Sequence, residues 1–100
     1  MAKQYRVVFE AVRLRWDTWN EMVEFAGVGP GSDQPRGCYI KEGKRVDSPT
    51  NTIGLLIPTL GGELLAVGGD WIIRGINGEL YPCKPDTFAA ICEDMEEETT

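Results

Sequence analysis

The chain of 100 residues contains no histidine. This removes imidazole acid-base catalysis, the Ser-His and Cys-His nucleophile pairs, and the commonest transition-metal ligand. Cysteine is scarce: Cys38, Cys83 and Cys92 are odd in number and show none of the CxxC spacings of zinc or redox sites. Such usage fits free thiols in a reducing compartment. No hydrophobic run approaches the roughly 18 residues of a membrane span. The Val7-Val8-Phe9 run, broken by Glu10, is too short for a signal peptide. Positive charge is also short, with a formal net charge of −6. A binder of phosphate backbones is ordinarily basic, so direct nucleic-acid binding is not expected.

What is present is ordinary for one globular domain: 42% hydrophobic and 26% charged residues over 1–100. Five of the negative charges (Glu93, Asp94, Glu96, Glu97 and Glu98) crowd the C-terminus. Placed at the negative end of a helix dipole, they predict a frayed acidic tail over 96–100.

A first strand is predicted from about Tyr5 to Arg15, where Val12, Leu14 and Trp16 alternate with Arg13 and Arg15. Thr18 and Glu21 have capping-box spacing. Trp19, Met22, Val23 and Ala26 make one apolar stripe, and Gly27 supplies a left-handed end, so a short amphipathic helix follows. Residues 27–52 read as a loop-rich insertion holding a short strand candidate at Cys38-Tyr39-Ile40; long connections of this kind are often used for binding. Beyond it, Ile53–Leu60, Glu63–Val67, Trp71–Ile76 and Glu79–Cys83 form a predicted β-meander with turns at Gly61-Gly62, Gly68-Gly69-Asp70 and Asn77-Gly78. Asp70 reads as a turn-former. Pro85 and Asp86 open a second amphipathic helix with Phe88, Ile91, Cys92 and Met95 on its apolar stripe. The expected fold is therefore α+β: a curved antiparallel meander or partial barrel of five to six strands with two short amphipathic helices.

A two-residue type I′ turn at Asn77-Gly78 would pair Arg74 with Tyr81. Arg74, Glu79 and Tyr81 then share a mixed face with Ile72, Ile76 and Cys83. Arg74 and Tyr81 form a cross-strand pair that either stabilises the sheet or, with Tyr39 and nearby loop residues, holds a planar anion. Tyr39, Arg74, Glu79 and Tyr81 are the candidate binding residues. No catalytic constellation, cofactor motif or metal-ligand spacing is visible, so a non-enzymatic protein is expected.

The string Gly69-Asp70-Trp71, followed by Gly78-Glu79-Leu80-Tyr81-Pro82-Cys83-Lys84-Pro85-Asp86, resembles the signature of a family of small proteins encoded by bacteriophages and prophages. The likeness extends over Leu56–Phe88, and also over Val8–Val12 with the helix ending Glu24-Phe25-Ala26-Gly27. Residues Val28–Thr52 depart from it, and Gly61 stands where the family usually carries Glu. The resemblance implies an accessory protein in the cytoplasm of a bacterial host. It would act by stoichiometric binding to a host or phage protein, such as a component of a bacterial defence system. A binder of nucleotide-like small anions and a structural or assembly protein of the virion are the alternatives. An exposed sheet edge would also permit a homodimer.

Overall fold

The computed structural model describes residues 10–90. The protein is α+β, with antiparallel strands in two sheets, one of them a half-barrel, and two short helices. The elements in order are β1 (Glu10–Arg13), a single 3₁₀ turn (Trp16–Thr18), α1 (Trp19–Ala26), β2 (Arg36–Lys41), β3 (Lys44–Val46), β4 (Thr52–Thr59), β5 (Gly62–Val67), β6 (Trp71–Arg74) and β7 (Leu80–Cys83). Backbone over 85–90 is helical.

Among the described residues there are seven strands rather than five or six, and they do not form one meander. One sheet has the order β1-β6-β7, the other β3-β2-β4-β5. The chain leaves one sheet for the other at Gly68-Gly69-Asp70, where β5 ends without pairing to β6. The predicted first strand is seen only as Glu10–Arg13; its Tyr5–Phe9 part lies outside the described residues, as do Ile91, Cys92, Met95 and the acidic tail.

The core gathers between the sheets and α1. Val12, Leu14, Met22, Ala26, Ile53, Leu55, Ile57, Ala66 and Ile72 form one buried cluster, with Trp19, Phe25, Val28 and Leu80 packed against it. Strand β4 is buried continuously from Ile53 to Ile57, as a central strand covered on both faces must be. Helix α1 turns Met22 and Ala26 inward and ends at Gly27 in the left-handed conformation, as its spacing predicts. Its start differs: Thr18 makes no capping bond. The Thr18 hydroxyl instead donates to the Arg13 carbonyl at 2.6 Å, holding the 3₁₀ turn against the end of β1.

The corner between the sheets is built around Asp70, 3% exposed. Its carboxylate accepts the Val67 amide (3.0 Å) and the Lys84 ammonium (3.1 and 3.2 Å). The Asp70 N–H donates to the Val67 carbonyl, and its own carbonyl accepts from Leu14 N–H. Through its side chain Asp70 ties β5 to the residue after β7, and through its backbone carbonyl to the residue after β1, a stronger form of the turn-forming role expected of it.

Two turns differ from the expected geometry. Residues 27–52 contain a hairpin, β2 on β3, closed by Glu42 (φ 55°) and Gly43 (φ 77°) between the paired Lys41 and Lys44. Two consecutive positive φ values are the mark of a type I′ turn. At Asn77-Gly78, only Gly78 (φ 83°) is left-handed. Gly78 N–H donates to the Gly75 carbonyl and Gly75 N–H to the Glu79 carbonyl, closing a three-residue loop with its bulge at the glycine. The hairpin register is consequently displaced by one: Arg74 faces Leu80, Ile73 faces Tyr81, Ile72 faces Pro82 and Trp71 faces Cys83.

Candidate binding site

A one-residue displacement sends every side chain of a strand to the opposite face relative to its partner. Arg74 and Tyr81 therefore point to opposite sides of the sheet, and the expected Arg74–Tyr81 pair does not form. Arg74 shares its face with Val12, Ile72 and Leu80 and is fully engaged there. Its guanidinium meets the Glu10 carboxylate at 2.8 Å, donates to the Phe25 carbonyl at 3.0 Å, and lies 4.5 Å from the centre of the Phe25 ring. This cation sits at the C-terminal end of α1, where the helix dipole favours positive charge. It anchors the helix to β1 and β6.

Tyr81 stands on the other face, across from Ile73, and is exposed. The stacked pair of Trp71 and Phe88 occupies that face too, their ring centres 4.1 Å apart. Glu79 folds back into its own turn, accepting Asn77 N–H at 3.1 Å. Tyr39 belongs to the second sheet. The four candidate residues are not brought together, because the predicted two-residue turn was the only link placing three of them on one face.

Tyr39 does enter a cleft. A cavity of about 350 Å³ lies between the 3₁₀ turn, the start of α1 and the β2–β3 hairpin, walled by Trp16, Trp19, Tyr39, Arg45, Asp47 and Ile53. Its geometry is fixed locally. Trp16 is 53% exposed, yet its indole N–H donates to the Asn51 carbonyl at 2.6 Å, so the ring is held in the open. The tip of the Trp19 ring lies over Gly37 of β2; a Cβ there would fall 2.7 Å from the ring, so a larger residue would force the indole to shift. Cys38 also borders the cleft. Burial pushes its thiol pKa up, against the lowering effect of Arg45 and Arg36, which leaves it protonated and unreactive at neutral pH.

A second, broader groove of about 760 Å³ lies at the hairpin ends, where Ile57, Pro58 and Leu60 of the β4–β5 hairpin meet Gly78, Glu79 and Leu80 of the β6–β7 hairpin. Leu60 is wholly exposed, and Ile76, at the neighbouring tip, is 82% exposed. Sequence reading assigned Trp16 and Trp19 to packing, Arg45 to a polar loop, and Leu60 to the end of a strand. The available signals were the Glu-Gly dipeptide, which turns the hairpin, and the placing of Leu60 and Ile76 inside turns, where no core can reach them.

Among the described residues, no helix is long and apolar enough to cross a membrane, and no group of three or more acidic or cysteine side chains could hold a metal ion. Comparison of the chain with protein-family models, curated proteins and solved structures returns no match.

Proposed function

We propose that the protein is a phage or prophage accessory protein that works by stoichiometric, non-catalytic binding to a host or phage protein in the bacterial cytoplasm. Its contact surface is the groove between the two hairpin tips. The observation that carries this reading is the pairing of Leu60 and Ile76 on adjacent turns beside a groove lined by Ile57, Pro58 and Leu80. Single exposed apolar residues are commonplace, but two at neighbouring tips flanking an apolar groove supply the desolvatable centre that a protein interface needs. Tight hairpins hold both tips, so little conformational entropy is lost on docking. The resemblance of Gly69–Asp86 to phage-encoded proteins supplies the setting, and a bacterial defence component is the partner class that setting favours.

Affinity purification of the tagged chain from phage-infected bacteria, with intact-mass analysis, tests the reading. One partner protein recovered at equal molar amount is expected. Recovery of the chain alone would contradict it, as would incorporation into purified virions, which would assign a structural role instead.

A further inference from the structure

The cleft around Tyr39 has a feature that the groove lacks. Of the described arginines, Arg13, Arg15, Arg36 and Arg74 are each engaged by a carbonyl, carboxylate or ring; Arg45, in the cleft wall, has no hydrogen bond, ion pair or ring contact. Lys41 and Lys44 are likewise without an ion pair, although they sit directly opposite each other across the β2–β3 hairpin. Like charges in cross-strand register destabilise a hairpin. In a chain of net charge −6, three unneutralised cations beside an aromatic cleft constitute a local positive field of the opposite sign to the whole.

Strand alternation fixes their direction. Lys41 lies two residues from Tyr39 on β2, and Lys44 two residues from Val46 on β3, so both lysines project on the face that carries Tyr39, whereas Arg45, paired with Ile40, projects on the other. Lys44 stands at the hairpin tip, whereas Asp47, just past the end of β3 and also without a hydrogen bond or ion pair, stands at the tryptophan end, about 10 Å away at strand rise. The site is polarised: aromatic rings with a hydrogen-bond acceptor at one end, cations at the other.

We propose that this cleft binds a free nucleoside phosphate. The base lies among Trp16, Trp19 and Tyr39, with its N–H edge toward the Asp47 carboxylate, and the phosphate lies on Lys41 and Lys44. Aromatic faces accept any base by stacking. Two ammonium groups match phosphate oxygens, and Asp47, at the far end, does not oppose the anion. The volume falls in the lower part of the roughly 300–1,000 Å³ range of ligand pockets, which suits one nucleotide. This site is separate from the hairpin-tip groove and stands or falls independently of a protein partner.

The test titrates the full chain with each of the four ribonucleoside monophosphates, the matching nucleosides and inorganic phosphate, reading heat and the indole N–H resonances. At least one nucleotide is expected to bind one-to-one, about tenfold tighter than phosphate or its own nucleoside, and to shift the Trp16 resonance. Lys41→Gln with Lys44→Gln, both at exposed sites, should weaken it about tenfold and leave the thermal transition in place. Trp16→Ala should weaken the nucleotide and not phosphate. Nucleotides binding no tighter than phosphate, or equally well in the Lys41→Gln/Lys44→Gln protein, would overturn the proposal. A single-stranded decanucleotide binding more tightly than any mononucleotide would overturn it too, in favour of strand binding.

Discussion

Replacing Asp70 by alanine should loosen the joint between the two sheets, and the cost can be worked from its contacts. The substitution strands the Val67 amide, whose acceptor at 3.0 Å is lost in a half-buried position; an unsatisfied donor of this kind costs about 1–3 kcal/mol. It also removes the partner of Lys84, but the Lys84 side chain is 67% exposed. Its ammonium can return to water, so screening holds that contribution to about 0.5–1 kcal/mol, well below the penalty for a charge left buried. The total is about 1.5–4 kcal/mol, a fall in Tm of roughly 6–30 °C for a domain of this size. Asp70→Asn separates the two parts. Its amide oxygen can still accept from Val67 and only the ion pair is lost, so about 1 kcal/mol is expected. Urea and thermal denaturation of the three proteins provide the comparison. Equal destabilisation by Asp70→Ala and Asp70→Asn would refute the division, and a loss below about 0.5 kcal/mol in Asp70→Ala would refute the joint itself.

Gly37→Ala should cost about 1–3 kcal/mol in urea denaturation and shift tryptophan emission, because the added methyl meets the Trp19 ring. Glu42→Asn should raise stability by about 0.5 kcal/mol in the same assay, since Asn tolerates the left-handed backbone that Glu42 adopts in its type I′ turn. Arg74→Ala should loosen α1, read as faster amide exchange over 19–26, because it removes contacts to Glu10 and to the Phe25 carbonyl and ring together. Cys38 alkylation, followed on its peptide by mass spectrometry, should rise with pH later than that of an unburied thiol. Burial raises its pKa and Arg45 partly offsets this, so Arg45→Gln should move the profile to still higher pH.

Much of the fold was legible because local patterns sufficed for it. The stripe of Trp19, Met22 and Ala26 with Gly27 after it specified α1, and the apolar runs after residue 52 specified four strands. What escaped was pairing, which depends on tertiary contacts. The choice of partner for β6 rests on β1, some 60 residues earlier in the chain, and no local pattern encodes it. The strand β3 was hidden because Lys44-Arg45-Val46 is short and charged, as edge strands often are. The site suffered most from one turn. Asn-Gly is compatible with either a two-residue or a three-residue loop, and that difference of one residue separates Arg74 from Tyr81. Tyr39, whose placement does not depend on that turn, reached the aromatic cleft, and Glu79 reached the separate groove at the hairpin tips.

Protein binding at the hairpin tips is tested most directly by capturing partners with the wild-type chain and with Leu60→Asp/Ile76→Asp in parallel, from the same infected lysate. Both substituted side chains are solvent-exposed, so the variant should keep its thermal transition. The expected result is a one-to-one partner on the wild-type chain that is lost from the variant. A stoichiometric partner retained equally by both would contradict the assignment of the groove.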